Sequence, residues 1–148
     1  MTDRFIDDYL LYLLSRASSE VSAQFHARLK VHGLQVPEWR VLASLSDGDG
    51  MTVGEIAMLA LQRQPTMTKI IDRMTGSGLV ERRQDENDRR KVRIFITQSG
   101  QRRVNEALAD AKQHEKEVLA DYAPAEADQL KSILRALVDR NGAGTQED

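Results

Sequence analysis

Cysteine is absent from this sequence, and its absence excludes several kinds of site. Without a thiol the chain cannot form a disulfide, act by thiol catalysis or hold a cysteine-ligated zinc ion. The three histidines, His26, His32 and His114, show no H-x-x-x-H spacing, so a zinc site within one chain is not expected. We interpret them as surface or core-edge residues. The sequence therefore predicts no metal and no cofactor.

Long hydrophobic runs are also missing. The longest apolar run, from Tyr9 to Leu14, has six residues, whereas a membrane-spanning helix needs roughly 20. At the N-terminus acidic residues stand where a signal peptide would be basic. We therefore expect a cytoplasmic protein that makes no membrane contact.

The usual sequence signatures of enzymes are lacking as well. Ser77 lies in Gly-Ser-Gly rather than in the G-x-S-x-G turn that exposes a nucleophilic serine. The sequence contains neither a phosphate-binding loop nor a dinucleotide-binding fingerprint. We therefore predict that the protein is not an enzyme.

Charge is distributed unevenly along the chain. The net charge is −2, but residues 62–103 hold eleven Lys and Arg against five Asp and Glu, which gives +6 there and −8 elsewhere. A basic segment within an acidic protein is typical of a nucleic-acid-binding lobe. A solvated charged hairpin would show the same bias, so charge alone leaves both interpretations open.

Helical periodicity dominates both ends of the chain. Apolar residues at three- and four-residue steps predict one long helix from Asp3 to about Val31, which His32-Gly33 ends. Thr97 is expected to cap a helix that continues to about Tyr122, and Pro124 begins a last helix with a narrow apolar stripe. A long first helix on a small protein needs a surface to lie against, for which a partner subunit is the natural candidate.

The middle of the chain alternates short helices with glycine-rich turns. One helix begins at Pro37, and the next is capped by Thr52 with Glu55 three residues later. The inward residues of this capped helix are expected to be Ile56, Leu59 and Ala60. A further helix from Gln64 to about Ser77 should bury Met67, Ile70, Ile71 and Met74, and two strands, Leu79–Gln84 and Val92–Thr97, should enclose the charged loop 85–91.

The outward face of the helix that begins at Gln64 is polar. It carries side chains that can bond to base edges and phosphates, namely Gln64, Thr66, Thr68, Lys69 and Arg73. Any solvent-facing helix also has a polar stripe, so this face alone does not decide the function.

The charged loop and the strand after it resemble a known signature. Asp88-Arg89-Arg90, followed by Ile94-Phe95-Ile96-Thr97 and Gly100, is similar to the D-x-R and L-T-x-x-G wing pattern of the MarR family of bacterial transcriptional regulators. The stretches VPEWRVLASL and TVGEIAMLALQRQPTMTKIIDRMTGSGLVER extend the resemblance to about Asp8 to Val138.

The resemblance implies a mainly α-helical fold with a small β-hairpin wing. Residues 35–100 would form a winged helix-turn-helix lobe, residues 1–34 and 101–141 a helical dimerisation frame, and residues 142–148 a disordered tail. In the homodimer the first, fifth and sixth helices would interlock. We expect its interface to include Ile6, Leu10, Leu13, Leu130, Leu134 and Leu137.

The resemblance also implies a function. Each recognition helix would enter a major groove of double-stranded DNA and each wing the flanking minor groove, on a pseudo-palindromic operator. Members of the family commonly repress transcription until a small, often aromatic or phenolic, ligand binds. Regulation without a ligand, activation, and a winged-helix module that binds only protein are the alternatives.

The DNA-contacting residues are predicted from the recognition helix and the wing: Arg63, Gln64, Thr66, Thr68, Lys69, Arg73, Asp88, Arg89, Arg90 and Lys91. Arg89 is the expected minor-groove residue, and Asp88 and Arg90 are expected to pair and stiffen the loop.

Two positions depart from the family pattern. Asn87 stands where some wings carry another arginine, and Arg63 stands where a serine or aspartate often caps the recognition helix. Either Arg63 binds a DNA phosphate, or it is only a poor cap that leaves the start of the helix less stable.

Three residues are candidates for a small-molecule site. Phe25, His26 and Trp39 lie where the frame should meet the DNA lobe, and the resemblance makes them ligand-binding candidates. An aromatic residue at helical spacing is more often part of the core, and for Trp39 we favour that interpretation.

Overall fold

The computed structural model describes residues 4–142 and contains six α-helices and one β-hairpin in that range. After a 3-10 turn at Phe5–Asp8, the elements are α1 Leu10–Leu29, α2 Val36–Leu45, α3 Val53–Leu59, α4 Gln64–Gly76, β1 Val80–Gln84, β2 Val92–Ile96, α5 Gln98–Val118 and α6 Pro124–Gly142. They divide into two compact units, residues 4–112 and residues 113–142.

The N-terminal helix is shorter than predicted. Tyr9 is extended, with φ −82° and ψ 120°, and it separates the 3-10 turn from α1. Two local contacts hold the 3-10 turn. The Tyr9 N–H donates to the Ile6 carbonyl, and the Phe5 and Tyr9 rings stack with centroids 5.0 Å apart. The prediction of one continuous helix from the N-terminus is therefore wrong, because α1 begins only at Leu10, whereas its end at Leu29 lies two residues from the predicted Val31. Asp3 lies outside the described residues.

The core of the first unit is built by α2, α3 and α4. The Gln35 N–H donates to Glu38 at the start of α2, and Thr52 and Glu55 form the predicted capping box of α3. Leu59 was expected to face inward but is 52% exposed, and that prediction is wrong. Helix α3 makes only two turns, and its inward positions are taken by Ile56 and Ala57, with Ala60 buried directly after the helix. The buried residues of α2–α4 are Val41, Leu42, Leu45, Ile56, Ala57, Met67, Ile70, Ile71 and Met74.

The hairpin is fastened to the loop before α3. Strands β1 and β2 pair from Val80↔Ile96 to Gln84↔Val92, each within one residue of the predicted ends. Met51 adds a bridge to Ile94, with N···O distances of 3.1 and 2.7 Å. Since the Val80 and Ile94 side chains are buried, one face of the wing belongs to the core.

Helix α5 begins as predicted, because the Thr97 hydroxyl oxygen accepts from the Gly100 N–H at 3.0 Å. Its N-terminal part buries Val104 and Ala107 in the first unit. Near Asp110 the same helix is tied to the end of α1, since Arg28 donates to this carboxylate at 2.9 Å and His32 lies 3.1 Å from it.

The second unit contains the end of α5 and all of α6. Helix α5 ends at Val118 rather than near Tyr122, and tighter turns follow, in which the Ala120 and Tyr122 N–H groups donate to the carbonyls of Glu117 and Leu119. Glu126 then accepts from the Ala123 N–H at 3.0 Å at the start of α6. The predicted disordered tail falls on residues 142–148, of which only Gly142, at the end of α6, is described. No helix in residues 4–142 is long and apolar enough to span a membrane.

Candidate nucleic-acid interface

Helix α4 presents a polar face because its apolar residues all point inward. Met67, Ile70, Ile71 and Met74 recur at helical spacing and are at most 5% exposed. Every predicted contact residue on the other side is exposed: Gln64, Thr66, Thr68, Lys69 and Arg73.

Two cations on this face are left without a counterion. Lys69 and Arg73 are one turn apart, and neither has a partner among residues 4–142. Like charges at this spacing cost roughly 0.2–0.5 kcal/mol on a helix. The acidic residue between them, Asp72, is already engaged by Arg82 of β1. The face is therefore positively charged and available to an external anion.

The N-terminus of α4 has a further cation. Arg63 occupies the N-cap position with φ −72° and ψ 146°, and its side chain makes no capping hydrogen bond. A positive charge at a helix N-terminus opposes the helix dipole. The structure thus has the poor cap that the sequence indicated.

Two of the polar side chains are in contact with their own domain. The Thr68 hydroxyl donates to the Gln64 carbonyl at 3.0 Å. The Gln64 amide oxygen lies only 3.4 Å from the place where a Cβ on Gly54 of α3 would be. The hydroxyl proton of Thr68 is thus engaged within the helix, whereas Thr66 makes no such side-chain hydrogen bond within the described residues and faces solvent.

The arginines of the hairpin differ in whether they are paired. Arg82 contacts Asp72, Arg83 contacts Glu81, Arg90 donates to Asp88 at 3.3 Å, and Arg93 donates to Asp85.

Arg89 has no such partner within the described chain and is exposed at the loop tip. The Asp88–Arg90 pair that the sequence predicted is present. Arg89 is thus the arginine of the hairpin that is free to reach out, and Lys91 beside it is exposed as well.

Asp85 organises the loop, although it was not among the predicted site residues. Its Oδ1 accepts from the backbone N–H groups of Asn87 at 2.8 Å and Asp88 at 3.1 Å, while its Oδ2 accepts from Arg93 Nε. The hydrogen bond from Arg93, followed by those from the backbone, lowers the pKa of Asp85 to about 2. An aspartate that opens a loop commonly bonds to backbone N–H groups two and three residues later, and this signal could have identified it.

The three ligand-binding candidates lie near the end of α1 and the start of α2. Phe25 and Trp39 meet edge to face with ring centroids 5.1 Å apart. Phe25 is buried and Trp39 packs against the core, as expected for a structural pair. Burial, followed by the charge of Arg40, lowers the pKa of His26.

The predicted interface residues are largely uncovered. In the first unit Ile6 lies in the 3-10 turn, and it is exposed together with Leu10 and Leu13 of α1. In the second unit Leu130 and Leu134 of α6 are exposed, and Leu137 is half-buried. Each unit, taken by itself, therefore carries a group of exposed or half-buried apolar side chains at the predicted interface positions.

The fold and this face together define a class of protein. Helices α2, α3 and α4 form a helix-turn-helix, α4 has an unneutralised cationic face, and the hairpin is a wing with a free arginine at its tip. These are the parts of a winged helix-turn-helix protein that binds DNA.

Comparison with known proteins identifies the family. The family model described as MarR family matches residues 34–92. A crystal structure of a MarR family transcriptional regulator from Silicibacter pomeroyi DSS-3 is 43% identical, covers 93% of this chain and 98% of its own, and superposes with a TM-score of 0.81. The chain belongs to the MarR family and is a DNA-binding transcriptional regulator.

Two further relatives have names that describe a regulator or a ligand. The homoprotocatechuate degradative operon repressor of Escherichia coli is 29% identical over 95% of each chain. A Mycobacterium tuberculosis MarR family protein, crystallised in complex with salicylic acid, is 25% identical, with coverage of 93% of this chain and 99% of its own and a TM-score of 0.71.

Proposed function

We propose that the protein is a homodimeric repressor that binds a pseudo-palindromic operator and leaves it when a small aromatic ligand binds. Residues 35–100 are its DNA-binding lobe, and residues 1–34 and 101–141 are its dimerisation frame. The observation that supports this proposal most is the polar face of α4, which has two cations without counterions in the same unit as the free Arg89.

The recognition helix divides its contacts between bases and phosphates. Thr66, with Gln64 and Thr68, offers hydrogen-bonding groups to base edges in the major groove. Arg63, Lys69 and Arg73 bind phosphates, which positions the helix without reading sequence. Bases are contacted from the N-terminal part of such a helix, where the three polar residues lie.

The wing contributes charge in the minor groove. Arg89 enters it, because a narrow minor groove concentrates negative potential that attracts a guanidinium group. Asp88 and Arg90 hold the loop in shape, and Lys91 meets the flanking phosphate backbone.

The two groups of apolar side chains form the dimer interface. Ile6, Leu10 and Leu13 of the N-terminal region are covered by the partner subunit, as are Leu130, Leu134 and Leu137 of α6. Exposed apolar patches of this kind mark interaction sites. A symmetric dimer places two recognition helices on half-sites about 10 bp apart.

A small aromatic compound is the effector. The names of two relatives support this, since one represses an aromatic degradation operon and the other was crystallised with salicylic acid. Phe25, His26 and Trp39 contribute to its site. Because Phe25 is buried in the present structure, binding requires the Phe25–Trp39 pair to open.

Selection of genomic fragments by the purified full-length protein tests this function. The expected result is an enriched sequence with two inverted half-sites about one helical turn apart. A set of aromatic acids, added to the complex with that sequence, should contain at least one that releases it. Failure to enrich any sequence over random genomic DNA would refute the proposed function.

A further inference from the structure

Arg93 of β2 touches three parts of the DNA-binding lobe at once. Its Nε donates to Asp85 at the base of the wing loop. Its Nη1 donates to the Gly50 carbonyl at 3.0 Å, in the loop before α3, and lies 3.9 Å from Glu55 in the first turn of α3. A planar guanidinium holds several donors in a fixed fork, and this geometry suits such a connection.

Asp85, which accepts from Arg93 at the base of the wing loop, sets the conformation of the wing tip. The same carboxylate that accepts from Arg93 also accepts from the backbone N–H groups of Asn87 and Asp88. Only Arg90 and Lys91 then separate Arg89 from β2. The direction in which Arg89 leaves the loop therefore depends on Asp85, which Arg93 holds.

The other end of the connection is closely packed. The Phe95 ring lies so near Gly50 that a Cβ there would be 2.3 Å from its Cζ atom. The Arg83 guanidinium of β1 lies over the Phe95 ring, 4.5 Å from its centroid. The Phe95 ring thus packs the wing against Gly50, and Arg93 donates a hydrogen bond to the carbonyl of the same residue.

We propose that Arg93 is a positioning residue, which holds the wing at a fixed angle to α3 so that Arg89 and α4 contact DNA as one rigid unit. This inference rests on the proposed function. Arg93 itself makes no DNA contact in this account, because its donors are directed at Asp85, Gly50 and Glu55. Its effect on binding passes through Arg89.

The hairpin offers a matched control for this proposal. Arg83 stands directly opposite Arg93 in the strand register, and its ionic partner is Glu81 on its own strand. Arg83→Met and Arg93→Met remove the same charge from the same face of the same sheet. Arg83→Met leaves the hydrogen bonds of Arg93 to Asp85 and Gly50 in place, whereas Arg93→Met removes them.

The test is a double-mutant cycle measured by fluorescence anisotropy on the operator duplex selected with the wild-type protein. Arg93→Met should weaken binding roughly tenfold in the wild-type background, since the wing arginine is misdirected, and less than about twofold in the Arg89→Ala background. Arg83→Met should cost less than about threefold and show the same cost in both backgrounds.

A second variant separates positioning from charge. Asp85→Asn removes a negative charge, which by itself would strengthen attraction to DNA. We expect it to weaken binding about as much as Arg93→Met does, although the two substitutions change the net charge in opposite directions. Circular dichroism at the assay temperature verifies that each variant is folded.

The outcomes distinguish this inference from the proposed function. If the wild-type protein prefers no sequence, the proposed function fails. If it binds its operator but Arg93→Met and Asp85→Asn bind equally well, the positioning role is refuted. Equal losses from Arg93→Met with and without Arg89 would also refute it, as would an Arg89→Ala variant that binds normally.

Discussion

Arg63 stands where a capping residue would stabilise α4, and this position allows a test of what the arginine is for. Its side chain makes no capping hydrogen bond, and its charge opposes the helix dipole. Serine at this position can accept from the Thr66 N–H. We predict that Arg63→Ser stabilises the protein by about 1 kcal/mol and weakens DNA binding.

Arg63→Ala is the matched control, because it removes the charge without supplying a cap. It should weaken DNA binding equally but raise the free energy of unfolding less than Arg63→Ser does, because only the unfavourable charge is removed. Urea unfolding and operator titrations measure the two effects. If both variants bind DNA as the wild type does, Arg63 contacts no phosphate and only starts the helix weakly.

Protonation of Asp85 at acid pH should destabilise the wing. Its pKa of about 2 lies below the usual value near 4 because the folded state bonds to the charged form. The resulting stabilisation is complete above the pKa of the unfolded chain and is lost as the pH falls from about 4 to about 2. We predict that Asp85→Asn destabilises the wild type by a constant amount from pH 7 to pH 5, and that the difference shrinks below pH 4.

An NMR titration of the Asp85 carboxyl measures this pKa directly. In the Arg93→Met variant it should move up toward 4, because the largest cause of the shift is removed. A midpoint near 4 in the wild-type protein would contradict the bonding seen at the base of the wing.

Among the elements, those with strong local signals were predicted well. The capping box of α3, the apolar period of α4 and the alternation of β2 each fix an element within a few residues, and all three are present. The break at Tyr9 was missed because it depends on a stacked ring and a local turn, which leave no gap in the apolar period. Leu59 was misplaced because a two-turn helix has too few residues to define its inward face.

Within the site, residue types and exposure could be predicted, but partners could not. The sequence pointed to Arg89 and to the Asp88–Arg90 pair, because both belong to one short motif. It did not point to Asp85, whose partner Arg93 lies in β2. Arg93 in turn donates to Gly50, which is 43 residues away in the sequence. Contacts of that separation follow from the fold and not from local spacing.

At Gly100 the start of α5 packs closely against the residue before β1. A Cβ at this position would lie 2.2 Å from the backbone oxygen of Leu79, which cannot move aside without disturbing β1. We predict that Gly100→Ala destabilises the protein by roughly 1–3 kcal/mol. The measurement is urea unfolding at a fixed protein concentration, because dimerisation contributes to the apparent stability.

Gly76, near the end of α4, provides the control for this prediction. A Cβ there would meet nothing within 4 Å. Gly76→Ala should therefore leave stability unchanged or raise it by up to about 1 kcal/mol. Equal effects of the two substitutions would mean that the close approach of Gly100 to Leu79 does not exist in solution.

At the scale of the whole molecule, DNA binding should depend on the dimer. Leu134 of α6 is 36% exposed and belongs to the stripe that we assign to the partner subunit. Leu134→Asp should give monomers in analytical ultracentrifugation, and these should have lost operator binding because one lobe makes only half of the contacts. Ser132→Asp, on the opposite side of α6, should remain dimeric and bind normally. A stable Leu134→Asp monomer with unchanged affinity would contradict the assigned interface.

The central claim is that α4 and the wing read DNA together, and a salt series on the selected operator tests it most directly. Arg89→Ala should weaken binding and lower the slope of log K against log salt by about one unit per subunit, because a charged contact is lost. Thr66→Ala should keep the slope and change the preferred bases, at roughly 1–3 kcal/mol per lost base contact. Equal affinities and slopes for the wild type and Arg89→Ala would contradict the account.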